Sequence, residues 1–444
     1  MTDYTHDWRP RMTDLLNPPT PAPAPPAAPD GSSSTEPRPA SSTEPRSHWT
    51  GTADAAELAH WTAVAAEVAA VLARDVLERD RRGDDPTAEL EPLRTSGLVN
   101  LLDPAEFGGG GAHWQTAFRV VRVLARADGS LAQLLLYHYV NVANIATSAP
   151  AGERERFYRR TIEGRWLWGD SVNPVDPDLR LTPDGDGYRL DGFKRFSTGV
   201  SSGDRALVNA VVVGGEREGD VIAFVIDARA DGVEHLGDWD ALGQRQSASG
   251  SVRFTGVRVE PDDVLGTLDG EPFSTLITAA IQLGFGNLYL GLAEGALAAA
   301  RDITLARPNA WFLSDADRYA EDPFVRRLYG ELVSQAAAVE ALADRVGALF
   351  DAETAKGDEV TAESRGALAI EIAKVKVVSS DLATDATSRV FEATGSSSTR
   401  SSVGLDLYWR NARTHSLHDP VDYKRLEVGA HYLTGVLQPL SLYT

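Results

Sequence analysis

The chain contains no cysteine. That excludes disulfides, thiolate nucleophiles, iron–sulfur clusters and zinc sites built on sulfur. Positive charge is also short: 43 Lys and Arg face 64 Asp and Glu, a formal net charge of −21. Such a surface repels a phosphate backbone and an anionic bilayer, so neither nucleic acid nor membrane is an expected partner. No uninterrupted apolar run reaches the ~18 residues of a membrane span. No apolar stretch follows a basic start, as a secretory signal would require, and the cytoplasm is the expected compartment. Histidine is scarce as well, nine in 444 residues. The two that stand three apart in "RTHSLHDP" (413–420) therefore stand out.

Hydrophobic residues make up 43% of the chain and charged residues 24%, ordinary for a globular protein, and the length implies two or three packed units. Residues 1–50 differ from the rest. They are rich in Pro, Ala, Ser and Thr and repeat Ser-Ser-Thr-Glu-Pro-Arg at 33–38 and 41–46. Such a segment buries too little apolar surface to offset its ordering entropy, so it reads as a disordered tail. Residues 51–165 carry apolar residues at three- and four-residue spacing, a helical pattern. The four glycines Gly108–Gly111 interrupt it. No strand or Lys-Ser/Thr signature accompanies them, so they read as a structural turn rather than a phosphate cradle. Residues 166–272 break into short alternating or β-branched runs separated by Gly, Asp and Pro, an antiparallel β unit. Helical periodicity returns over 273–444. The expected fold is α+β: N-terminal helices, a central antiparallel β domain and a C-terminal four-helix bundle.

That order, with "DPAEFGGGGAHW" (103–114), "GFKRFSTGVSSGDRALVNAVV" (192–212) and "FEATGSSSTRSS" (391–402), resembles the acyl-CoA dehydrogenase superfamily over about residues 53–440. The C-terminal segment departs from the dehydrogenases. Where they carry a catalytic Glu followed by Gly, this chain has Asp419 and Pro420, and His418 stands where an aromatic residue is usual. "RNARTHSLHDPVDYK" (410–424), with "ARPNAW" (306–311) and "EDPFVRRLYGE" (321–331), resembles the flavin-dependent monooxygenase branch, that of the dibenzothiophene monooxygenases and sulfur-acquisition oxidoreductases. The resemblance implies a two-component enzyme. A separate NAD(P)H:flavin reductase supplies reduced FMN, O2 gives a flavin C4a-hydroperoxide, and a small organic substrate is oxygenated, often at sulfur or nitrogen. It also implies a homotetramer.

Imidazole exchanges protons near neutral pH, which suits His415 and His418 to such chemistry. From spacing alone, a zinc site or a hydrogen-bonded core pair stays open, although no third metal ligand is evident nearby. The resemblance assigns both to the active site, with His418 handling the proton. His138, in the apolar "LLLYHYVN" (134–141), reads by itself as a core histidine; the resemblance makes it pocket-lining. The resemblance puts Phe196, Ser197 and Thr198 at the flavin's polar edge, and Asp170, Ser171 and Asn173 in a second loop that meets the ring. It makes Arg307 the phosphate anchor, reaching the flavin of a neighbouring subunit, with Gly395 and Ser396 beside it. Guanidinium grips phosphate in two places with permanent charge. The serines after Gly395 leave less room for FAD than for FMN. Asp419 precedes a proline, a pairing that suits the N-cap and first turn of a helix, and this reading is preferred to a catalytic base. The competing functions are an FAD-dependent acyl-thioester dehydrogenase and a non-catalytic scaffold of the same fold.

Overall fold

Four of the helices begin where the sequence offers a side-chain cap. In the computed structural model, which describes residues 46–172, 179–268 and 270–440, the Asp54 carboxylate accepts the Glu57 amide at 2.8 Å and opens α1 (Ala55–Leu72). Two short helices follow, α2 (Val76–Arg82) and α3 (Leu90–Thr95), then α4 (Trp114–Ala125). Asp128 opens α5 (Gly129–Ser148) by accepting the Ser130 and Leu131 amides, both at 3.0 Å. α5 is buried from Gly129 to Thr147. Its apolar character all round therefore marks a central helix rather than an amphipathic one. α6 (Ala151–Gly164) leads into the sheet.

Most of the expected N-terminal tail lies outside the described residues. Residues 46–50, which belong to that expectation, are instead part of the core. Trp49 is buried, and the His48 and Trp49 ring nitrogens both donate to the Leu102 carbonyl, at 2.8 and 3.3 Å. The glycine run folds onto the turn before it. A Cβ at Gly109 or Gly110 would collide with the backbone of Asp103 or Leu101, which is why no side chain fits there.

Eight strands form one sheet among the described residues: β1 (Trp168–Ser171), β2 (Arg180–Asp184), β3 (Gly187–Lys194), β4 (Arg205–Val212), β5 (Val221–Asp227), β6 (Val233–His235), β7 (Val252–Val259) and β8 (Val264–Thr267). The order is β6-β7-β3-β2-β4-β5-β8, with β1 added to β4. The sheet is mixed, which corrects the antiparallel expectation: β1 and β2 both run parallel to β4. An alternating strand pattern records which face is buried and carries no strand direction. The parallel pairings bridge strands far apart in sequence, where no hairpin turn announces them.

α7 (Leu276–Ala306), α8 (Pro323–Thr354) and α9 (Ala362–Thr394) then pack on one another, and α4 packs on α7 and α8. Asp322 caps α8 and Thr361 caps α9. Where a single fourth helix is expected, α10 (Asp406–His415) and α11 (Val421–Thr434) both pack against α9. By length and composition, α1 and α7 could each cross a membrane, which the reading of uninterrupted apolar runs did not anticipate. α7 is the buried centre of this bundle, and α1 buries Ala65, Val68, Ala69 and Leu72 as one stripe. α11 buries only Lys424 and leaves Tyr432 and Leu433 87% and 80% exposed.

Candidate active site

α10 ends at His415, and the chain turns before α11. The His418 amide donates to the His415 carbonyl at 2.9 Å, so the two imidazoles stack, 5.8 Å apart and 16° from parallel. Phe285 of α7 packs against both, with centroids at 4.6 and 4.9 Å. Tyr289, one turn further along α7, donates its hydroxyl to the His415 carbonyl at 3.1 Å and lies 3.1 Å from His415 Nδ1. A hydroxyl has one proton to give. Since that proton goes to the carbonyl, His415 Nδ1 must be the donor to the Tyr289 oxygen, which leaves Nε2 as the acceptor nitrogen. That Nε2 is buried and has no hydrogen-bond partner among the described residues. Burial above all, with His418 and Lys376 adding, holds the His415 imidazole well below its ordinary pKa, so it is neutral.

Beneath His418 lies a buried ion pair. His418 Nδ1 approaches Asp419 Oδ1 at 3.2 Å, and the other carboxylate oxygen of Asp419 accepts from Lys376 of α9. The Lys376 side chain is fully buried; it donates to Gln282 Oε1 at 2.5 Å and lies 5.2 Å from the Phe285 ring centre. Burial opposes the charge on Asp419, but the His418 hydrogen bond and Lys376 together hold its carboxyl far below the usual range. The capping expectation for Asp419 is therefore corrected. The N-cap of α11 is Pro420 and receives no side-chain bond, because the Asp419 carboxylate is committed to Lys376 and His418.

α5 connects the histidine pair to the sheet. Tyr137 places its ring 6.4 Å from His418 and 6.1 Å from Phe285. One turn along α5, Asn141 donates to the Trp168 carbonyl of β1 at 3.2 Å. Asp170 of β1 donates its amide to Thr198 O at 3.0 Å; burial pushes its carboxyl up to about 7, with the Asn141 amide opposing. A hydroxyl array runs from here. Ser171 donates to Ser197 at 2.8 Å, Thr198 pairs with Ser249 at 3.0 Å, and Ser249 with Ser247 at 2.7 Å. Phe196, just ahead, holds a left-handed backbone (φ 56°) with its ring 62% exposed and edge-on to Trp239 at 6.4 Å. That conformation is costly for a non-glycine residue and is characteristic of functional sites. Asp170, Ser171, Phe196, Ser197 and Thr198 are thus gathered at one place, while Asn173 lies outside the described residues.

His138 does not share this openness. Its Nε2 donates to the Val99 carbonyl at 2.6 Å and its Nδ1 accepts the Trp168 amide at 3.0 Å. Burial lowers it to about 4, so it is a neutral ring with both nitrogens spent on backbone. Buried with both nitrogens on backbone, it offers no group to a pocket, which corrects the pocket-lining expectation.

Arg307 sits at the far end of α7. From Tyr289 (289 to 307) the helix runs ~27 Å at 1.5 Å per residue. Its guanidinium donates to Thr394 O at 3.1 Å and stacks on Tyr319 at 4.0 Å. It has no carboxylate partner among the described residues. Gly395 lies beneath it with φ 74°, and a Cβ there would come within 2.9 Å of Arg307 Nη1. Arg307, Gly395 and the exposed Ser396 therefore form a second group, out of reach of the histidine pair of the same chain. Sequence reasoning missed Phe285, Tyr289, Gln282 and Lys376, which are apolar-helix residues and an unremarked lysine until the fold assembles them.

The fold and sequence have close counterparts. The acyl-CoA dehydrogenase N-terminal domain matches residues 55–165 and the C-terminal domain matches 283–423, so the chain belongs to that superfamily. It is 40% identical to a dibenzothiophene monooxygenase of Rhodococcus erythropolis over 81% of this chain and 89% of that one. It is 39% identical to the probable FMNH2-dependent monooxygenase SfnC of Pseudomonas putida over 86% and 97%. FMN-bound TdsC from Paenibacillus sp. A11-2 superposes with a TM-score of 0.83 at 37% identity, covering 87% of this chain and 100% of that one. The methanesulfinate monooxygenase MsuC of Pseudomonas fluorescens gives 0.83 at 36%, covering 86% and 99%. Within the superfamily the chain belongs with the flavin-dependent monooxygenases.

Proposed function

We propose that the protein is the oxygenase of a two-component system. It is an FMNH2-dependent monooxygenase that takes reduced FMN from a separate NAD(P)H:flavin reductase and uses O2 to oxygenate a small organic substrate at sulfur or nitrogen. The observation that carries this reading is the stacked histidine pair, in which a neutral, buried His415 keeps a partnerless Nε2 beside a half-exposed His418. Buried polar atoms are normally paired, so an orphan of this kind marks the place of a ligand. Names of relatives support the substrate class: dibenzothiophene and methanesulfinate both present sulfur.

The residues present fit FMN. A flavin ring alternates donors and acceptors along its polar edge, and Ser171, Ser197, Thr198 and their backbone supply complementary groups, with the Phe196 ring beside them. Bound reduced FMN supplies the two electrons that activate O2. His418 holds and delivers a proton at Nε2. His415 accepts a hydrogen bond at Nε2 while its Nδ1 stays on Tyr289. Phe285 and Tyr137 exclude water from between the imidazoles and α5, which preserves the oxygenating power that solvent would dissipate as hydrogen peroxide. The flavin phosphate is held by Arg307, Gly395 and Ser396 of a second copy, in a homotetramer whose contacts cover the exposed apolar face of α11. The cytoplasm, where reduced nicotinamide feeds the reductase, is the compartment that suits this pairing.

The dehydrogenase reading has less support. Asp419, the counterpart of the dehydrogenase base, is clamped by Lys376 and has no free oxygen for an α-proton. The test is to supply the protein with a flavin reductase, NADH, FMN, 18O2 and an aryl thioether or alkyl sulfone panel. Product carrying one 18O atom is expected. Bleaching of bound flavin by an acyl thioester without any reductase would overturn the proposal.

A further inference from the structure

We infer that Lys376 is a positioning residue for this reaction: a buried ammonium, held by Gln282, that clamps Asp419 so that Asp419 fixes the His418 ring with Nδ1 protonated and Nε2 as the working atom. The inference rests on the monooxygenase reading in which His418 handles the proton.

A fully buried lysine is rare and costly unless paired. This one is committed entirely to the site. Its ammonium touches Asp419, Gln282 and the Phe285 ring, and Phe285 itself packs on both imidazoles. Asp419 precedes Pro420, a position where its carboxylate would otherwise turn to the free amides of α11. Lys376, 43 residues upstream on α9, takes one oxygen and so leaves the other directed at His418. A carboxylate without that cation would be free to turn to the α11 amides and release the imidazole. Sharing it with a fixed cation keeps the imidazole oriented. His418 Nε2 makes no hydrogen bond among the described residues, consistent with its being the atom left for ligand.

The charged and titratable groups around His418 come from every packed element: Lys376 from α9, Asp419 from the turn, His415 from α10, Tyr137 from α5 and Tyr289 from α7. Lys424 and Glu427 of α11, paired at 3.0 Å, lie near Lys376. Of these, Lys376 is the cation directly bonded to the carboxylate that holds His418.

The test uses the full-length protein in two readouts. In 15N-histidine-labelled protein without flavin, the His418 resonance, identified by its loss in His418→Asn, should report a single Nδ1–H tautomer for the neutral ring. In Lys376→Met, with the Asp419 carboxylate free to turn to the α11 amides, it should report mixed tautomers. In the coupled assay, Lys376→Met should lower the ratio of oxygenated product to hydrogen peroxide about tenfold. If Lys376→Met does not fold, the double variant Lys376→Met/Asp419→Asn removes both charges together and should show the same mixed tautomers and lowered product ratio. Unchanged tautomer and product ratio in whichever variant folds overturns the inference. A harmless His418→Asn instead overturns the role of His418 itself, so the two failures are distinguishable.

Discussion

His138 and His415 are both buried, both neutral and both on core helices, yet they are opposite in kind. His138 spends both ring nitrogens on backbone, tying the Val99 turn to the start of the sheet. His415 spends one on Tyr289 and leaves the other without a partner among the described residues. Burial and a lowered pKa do not separate a structural imidazole from a functional one. Between these two, the unspent hydrogen-bonding capacity of His415 is the difference.

That contrast can be broken by experiment. The largest effect is expected at the open pair. His418→Asn should cut oxygenated product by about 10²–10³-fold, with FMNH2 still consumed and hydrogen peroxide appearing in its place, measured by chromatography and a peroxidase assay. His138→Ala should cost about 3 kcal/mol of stability in urea unfolding, because it strands a buried carbonyl and a buried amide. Its folded fraction should keep the product-to-peroxide ratio. Collapse of that ratio in a fully folded His138 variant would erase the distinction drawn here. Arg307→Ala should weaken FMN binding about tenfold, as followed by flavin fluorescence, while leaving the unfolding midpoint within measurement error. The smallest effect belongs to Asp170. Its folded pKa is raised to about 7 by burial, so the stability tied to its neutral form is complete below the unfolded value near 4 and is lost as pH climbs to 7. Asp170→Asn should flatten that decline, raising the melting temperature at pH 8 by a few degrees relative to wild type while gaining nothing at pH 4.

Much of the architecture was legible because periodicity reports it directly: the change from helical to alternating pattern near residue 166 and back near 273 coincides with β1 and α7. Strand direction was not, since β1 and β2 meet β4 through partners 37 and 31 residues away, too far apart for a hairpin to announce the pairing. The Pro/Ser/Thr-rich composition carried the tail reading too far, because Trp49 finds its pocket in helices that composition cannot see. At the site, the motif containing His415 and His418 was readable. Asp419 was misjudged because local rules for Asp-Pro compete with a lysine on another helix. Lys376 itself left no trace: in "EIAKVKVVSS" (371–380) it looks like any solvent-facing lysine, and only tertiary packing turns it inward.

The length of α7 has one more consequence. On the proposed sharing of the flavin between copies, the imidazoles pack midway along a 31-residue rod, at Phe285 and Tyr289, and the guanidinium that completes their centre comes from a second chain. Two crippled genes should therefore rescue each other. Mixing His418→Asn chains with Arg307→Ala chains in one assembly leaves about a quarter of the centres with both essential groups intact, if protomers shuffle at random.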